Sequence, residues 1–220
     1  MEKLLFQSKR NYFLVLLAVA VGFAQLIIHS PLPLFIQQII FTGLPVITWI
    51  WLEKASFKAL FSKLTVKGIV KAILWTFAAN LLVFIVSVLY VSLVGKNNIT
   101  ANPIVETSLH LLNWFGIFIQ LFGEEILSIA LLIAIFALCR KKLTQKTSTL
   151  IATICCGIIF ALLHLSTYGW NVGQVLLLLF IPRVIMNDVF LKAEKSPSII
   201  SSWLTHSLYD TLSIIASIVL

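Results

Sequence analysis

Carboxylates and imidazoles stand in this chain where an apolar sequence has least use for them. Glu124 and Glu125 fall in GEEILSI, His164 closes FALLH, HSLYD holds His206 and Asp210, and Arg183 and Asp188 charge another apolar run. A charged group inside a membrane span costs at least ~2.5 kcal/mol by insertion scales, so it persists with a partner or a task. Carboxylate with imidazole is the combination that moves protons to and from water. Phe160 and His164 are four residues apart and share a helix face one turn apart, and His206 and Asp210 repeat that spacing. A carboxylate one turn from an imidazole can fix its tautomer, which a reacting histidine needs and a packing histidine does not. A lone intramembrane histidine serves equally well as a helix-to-helix hydrogen bond. A Glu-Glu pair, two histidines on other segments and an Asp beside the second point instead to one polar site. Buried Glu, His and Asp also suit an ion- or proton-coupled transporter, although no inverted repeat relates the two halves.

The elements that carry these residues must be membrane helices. Of 220 residues, 60% are hydrophobic and 11% charged, against roughly a quarter charged in soluble domains, which excludes a soluble globular domain and a disordered chain. At ~20 residues per crossing the length suits about seven or eight spans. The expected fold is an all-α polytopic membrane helical bundle, one membrane domain over 1–220. Spans are expected near 11–28, 34–52, 68–94, 108–138, 149–165, 174–191 and 198–219. Residues 1–107 would supply N-terminal spans and an interfacial helix, and 108–220 the core that carries the motifs. Strand alternation is absent, which excludes a membrane barrel. The interfacial helix is expected in EKASFKALFSKLTVK, where Phe57, Leu60, Phe61 and Leu64 recur at helical spacing between lysines. The fourth span is long enough that it must tilt, protrude or break, with Gly123 a candidate break, and Pro182 should kink the sixth.

Basic residues occupy every second connection: Lys3 to Arg10, Lys54 to Lys71, Arg140 to Lys146, and Lys192 with Lys195. That alternation predicts an integral, multi-pass protein, assigned to the plasma membrane, with a cytoplasmic N-terminus and an odd number of crossings. Ala18-Val19-Ala20 resembles a signal-peptide cleavage site, but the apolar run continues to Ile28, so an uncleaved span is expected. The net charge of +8 reads as a topology signal; lipid is the expected partner and nucleic acid is not. Cys139, Cys155 and Cys156 lack C-x-x-C spacing and read as reduced thiols. His29 and His110 are assigned to interface or loop duty, and Trp49, Trp51, Trp170 and Trp203 to interfacial anchoring. Counted at 1.5 Å per residue from the nearest basic residue, Glu124 lies ~24 Å deep, His164 ~27 Å and His206 only ~16 Å, a mismatch the sequence does not resolve.

Taken in order, these blocks resemble the CPBP family of intramembrane proteases, named for CAAX proteases and bacteriocin-processing proteins and also called the Abi family. Its pattern is E-E-x-x-x-R on one helix, F-x-x-x-H on a second and H-x-x-x-N or a variant on a third. Glu124-Glu125, Phe160 to His164 and His206 to Asp210 match in that order, over roughly the C-terminal half. Two positions depart: Ile129 stands where the Arg belongs, and Asp210 where Asn is usual. The family's Arg pairs with the second Glu, so the resemblance leaves Glu125 without its counter-ion. Arg183 is a candidate to replace it in space; the alternative is that Arg183 snorkels to water.

The resemblance implies an endopeptidase that hydrolyses a peptide bond in a membrane-associated peptide or protein. Glu124 would be the base that deprotonates water, with Glu125 beside it, and His164 would orient the same water. His206 would donate to the oxyanion. Asp210 would either carry a proton and donate as well, or hold His206 in its donating tautomer. Glu124, His164 and His206 also match a catalytic zinc set with an open position, yet nothing resembles H-E-x-x-H; metal-free catalysis with no required cofactor is expected. Ile129 and Asp210 leave a second function open: a non-catalytic family member acting in bacteriocin immunity or as a membrane partner protein.

Overall fold

The computed structural model describes residues 1–28, 30–101 and 111–219; His29 and His110 lie outside them. Eight α-helices form the described bundle: α1 (Lys9–Ile27), α2 (Leu34–Lys58), α3 (Val66–Val94), α4 (Leu111–Cys139), α5 (Gln145–Leu163), α6 (Val172–Leu178), α7 (Phe180–Lys192) and α8 (Ile199–Val219). Side-chain oxygens open four of them. Ser8, Thr65, Thr144 and Asn171 accept from the backbone N–H three residues on, satisfying donors a helix start leaves free. Six spans are long and apolar enough to cross a membrane, with α6 and α7 forming one of them. At 21 residues, α8 reaches ~30 Å, a bilayer's hydrocarbon thickness. The chain is an all-α polytopic bundle, as its composition predicts.

Burial ranks the helices. The apolar window of α4 is 67% buried and that of α3 only 6%, so α4 is the axis and α3 faces lipid. Leu74, Phe77, Leu81 and Phe84 on α3 are exposed, as they should be where the solvent is hydrocarbon. Helix α4 packs on α1, α2, α5 and α8, and α8 packs on α3 and α7. A side chain from α4 can thus meet side chains from α7 and α8.

Gly123 does not break α4, which runs unbroken from Leu111 to Cys139. A Cβ there would lie 2.5 Å from Thr42 Oγ1 and 2.8 Å from the Phe41 ring, so the glycine lets α2 approach closely. The sixth span does break. Pro182 cannot donate to the Leu178 carbonyl, and the chain leaves α6 at Leu178 and resumes as α7 at Phe180.

The expected interfacial helix is replaced by a different arrangement. Glu53 leaves helical geometry (φ −145°, ψ 51°) while its carboxylate accepts from Gln7 N and Asn11 Nδ2, both at 2.7 Å. Helix α2 then ends at Lys58, Leu60 is fully buried, and its carbonyl accepts from Ile199 N at 2.8 Å. Core packing thus claims an apolar residue that the pattern gives to the membrane surface. Trp49 departs the same way: it is fully buried, with Phe6 and Phe57 packed edge-on against it, and anchors no interface.

The charged connections gather at one end of the bundle. Arg140 pairs with Glu2 at 3.0 Å, the Glu194 carboxylate accepts from Thr65 N and Oγ1, and Lys71 Nζ donates to the Lys192 carbonyl. At the other end, Asn171 Nδ2 donates to the Asn98 carbonyl and Gln174 clamps the backbone of Thr100 through both its amide atoms. Helix α8 starts below the charged surface. Ser198 N donates to the Phe190 carbonyl at 2.8 Å, and Ser198, Ile199, Ser201 and Ser202 are fully buried. This inset start carries His206 deeper than counting from Lys195 implies.

Candidate active site

The site is built around an ion pair with no access to solvent. Glu125, fully buried on α4, receives Arg183 of α7 through two parallel bonds, Nη1 to Oε1 at 2.6 Å and Nη2 to Oε2 at 3.0 Å. Arg183 is 1% exposed, and its guanidinium carbon also lies 5.2 Å from the centre of the Phe160 ring. Arg183 therefore replaces in space the cation that Ile129 removes from the sequence pattern, and it does not snorkel. Ile129 itself is fully buried in the apolar core. Asp188 takes no part in that pair; it bonds Lys192 one turn along α7.

Glu125 also fixes His206. The ring's Nδ1 lies 2.9 Å from Glu125 Oε1; a carboxylate already held by a guanidinium accepts, so Nδ1–H donates. This corrects the expectation that Asp210 sets the tautomer from one turn away. Asp210 faces the other nitrogen: Nε2 lies 3.6 Å from Asp210 Oδ2 and 3.8 Å from Glu124 Oε2. Both separations exceed hydrogen-bond length and suit a bridging oxygen, whether of water or of a reacting group. In the neutral ring Nε2 accepts, and in the imidazolium it donates, with two carboxylates facing the charge.

Gln120 steadies Glu124 from one turn earlier on α4, its Nε2 donating to Glu124 Oε1 at 3.1 Å. Gln38 of α2 donates in turn to Gln120 Oε1 at 3.2 Å. Gly116 leaves room for that chain, since a Cβ would fall 2.0 Å from Gln38 Oε1. One carboxylate oxygen is thereby held and the other is turned to His206. The i, i+4 spacing of Gln120 and Glu124 is legible in the sequence, whereas the reach of Gln38 from another helix is not. Gln120→Met is expected to lower kcat/KM about tenfold, the loss of one hydrogen bond to a charged group, with the thermal unfolding midpoint unchanged; paired kinetics and unfolding curves check it.

His164 stands apart from this cluster but on the same cavity wall. As the last turn of α5 tightens, His164 N bonds the Ala161 carbonyl and leaves the Phe160 carbonyl free. That carbonyl lies 2.8 Å from His164 Nδ1 and must accept, so in the neutral ring Nε2 carries the lone pair. The Phe160 ring packs on the imidazole at 4.6 Å.

The cavity measures about 950 Å³ and is lined by Glu124, His164, Tyr168, Arg183, His206, Tyr209 and Asp210 among others; ligand sites typically span ~300–1,000 Å³. Burial pushes the Tyr168 phenol up, so its hydroxyl stays neutral in that wall. Among the described residues no three His, Cys, Asp or Glu side chains converge to hold a metal ion. Each imidazole bonds through Nδ1, His206 to Glu125 and His164 to the Phe160 carbonyl, the outer contact that a metal-bound histidine also makes. What the arrangement offers is a restrained carboxylate oxygen, an imidazole nitrogen opposite it and a second imidazole across one cavity: a place to bind and deprotonate an oxygen.

Compared with known proteins, residues 106–212 match the family model described as type II CAAX prenyl endopeptidase Rce1-like. No curated protein and no solved structure matches the chain.

Proposed function

Since the chain belongs to the CPBP family of CAAX-protease-like membrane proteins, through the Rce1-like match over residues 106–212, we propose that it is an active intramembrane endopeptidase, hydrolysing a peptide bond in a membrane-associated peptide or protein. Glu124 takes the proton of a bound water as that water attacks the scissile carbonyl. His206, protonated at Nε2, donates to the oxyanion that forms. His164, its Nε2 free to accept, orients the water through its other O–H, and Glu124 hands the proton it took to the leaving amine as the peptide bond breaks. Asp210 lies beside His206 and steadies its charge. The site uses no metal. The single observation that carries this reading is the rebuilt Glu125–Arg183 pair. The pair fixes the carboxylate that in turn holds His206 Nδ1, so that Nε2 faces Glu124, the orientation a reacting imidazole needs.

A plasma-membrane protein with a cytoplasmic N-terminus fits the gathering of cations at the N-terminal end of the bundle. The testing experiment is hydrolysis by purified protein in detergent, with cleaved peptide termini identified by mass spectrometry. Wild type is expected to cleave with and without a metal chelator, and His164→Ala to lose about a hundredfold. Loss of activity with chelator, restored by zinc, would overturn metal-free catalysis. Equal activity in His164→Ala would remove that residue from the mechanism.

A further inference from the structure

Given the endopeptidase reading of the site, we infer that its cavity opens on the face of the membrane away from the cytoplasm, and that its substrate is a polypeptide segment already exported to that face. Two independent observations meet here. The first is charge. Of the 16 lysines and arginines, all but Lys96 and Arg183 lie in the segments before α1 and between α2 and α3, α4 and α5, and α7 and α8, or in the helix turns that flank them. Arg140–Glu2, Thr65–Glu194 and Lys71–Lys192 tie those segments into one end of the bundle. Arg183 is consumed by Glu125, so Lys96 is the one Lys or Arg left for the other end among the described residues. Loops this unequal in Lys and Arg stay on the cytoplasmic side when they are charged and cross when they are not.

The second observation is where the cavity opens. Its outer wall comes from the last turns of α1 (Leu26), the start of α2 (Leu34), the Thr100 segment, the start of α4 (Leu112) and Ser166 beyond α5. All of these lie at the end without the cations, and no lining residue comes from the charged connections. A polypeptide reaching Glu124 therefore enters from the uncharged end. A prenylated tail of a cytosolic protein lies in the opposite leaflet and would have to cross the hydrocarbon core, so such tails are excluded as substrates. Exported peptides and the external segments of membrane proteins are the class that fits, with apolar residues to meet Leu26, Leu34 and Leu112.

The experiment is side-specific labelling of the full-length protein in intact cells with a membrane-impermeant maleimide. In a background with Cys139, Cys155 and Cys156 changed to Ala, Ser166→Cys and Asn97→Cys report the uncharged end, and Lys195→Cys the charged end. Ser166→Cys and Asn97→Cys are expected to react in intact cells and Lys195→Cys only after permeabilisation. The reverse pattern overturns the inference whatever the activity. Terminus mapping of cells carrying wild type or Glu124→Gln adds the substrate arm. New termini confined to exported or externally exposed chains support the inference, and new termini in cytosolic prenylated tails overturn it. The endopeptidase reading fails separately, if Ser166→Cys labels from outside yet the purified wild-type protein cleaves nothing in detergent.

Discussion

Glu124→Gln is expected to lower peptide hydrolysis by about 10²–10⁴-fold, the range of a general base, while leaving the thermal unfolding of the detergent-solubilised bundle where it was. The substitution keeps shape and keeps the acceptor that Gln120 Nε2 uses at 3.1 Å, so the Gln38–Gln120 chain survives it. What disappears is a carboxylate able to take a proton from water. Because the residue acts on the reacting water and not on the scaffold, the loss should fall on kcat and leave KM nearly unchanged. Rates within a fewfold of wild type would show that water is activated elsewhere, and His164, whose free nitrogen faces the same cavity, would be the group to examine next.

Arg183→Met has the largest expected effect on stability. Removing one partner of a buried pair strands the other charge, at a cost of about 3–5 kcal/mol. Glu125 is fully buried, and among the described residues it pairs with no cationic side chain except Arg183 and the His206 ring. The Phe160 ring loses its covering guanidinium as well. The variant should therefore unfold far below wild type or fail to accumulate in membranes. Arg183→Met combined with Glu125→Leu removes both charges and should recover most of the lost stability while remaining inactive, because His206 then has nothing to fix Nδ1. Unfolding midpoints of the three variants check it; an undisturbed single variant would mean that Glu125 is satisfied without Arg183.

How much of this was legible in the residues differs between elements. Helix positions follow from apolar runs longer than any soluble helix needs, and from Ser8, Thr65, Thr144 and Asn171 placed where a helix start wants an acceptor. The fate of 53–67 does not follow. Amphipathic spacing there is compatible with a surface helix, and only the Glu53 contacts with Gln7 and Asn11 and the burial of Leu60 against Ile199 decide otherwise. In the site, Glu124, Glu125, His206 and Asp210 could be grouped from charge in apolar surroundings, and Arg183 could be offered to Glu125 because nothing else explained a cation at that depth. The roles within the group were not legible. The i, i+4 spacing suggested that Asp210 holds His206, yet the nitrogen that needs holding points across to α4, and a ring's direction depends on its rotamer and on the inset start of α8. Gln38 and Tyr168 were invisible for the same reason: an amide and a phenol are unremarkable residues until tertiary packing turns one toward Gln120 and sets the other in the cavity wall.

The central claim is that Glu124 and His206, 3.8 Å apart, work on one water-derived oxygen. A double-mutant cycle of Glu124→Gln and His206→Gln on kcat/KM tests it most directly. Groups that act as a unit are strongly non-additive, so the double variant should be no slower than the slower single one. If the two losses instead multiply, the residues act independently, and the shared site proposed for α4 and α8 is contradicted.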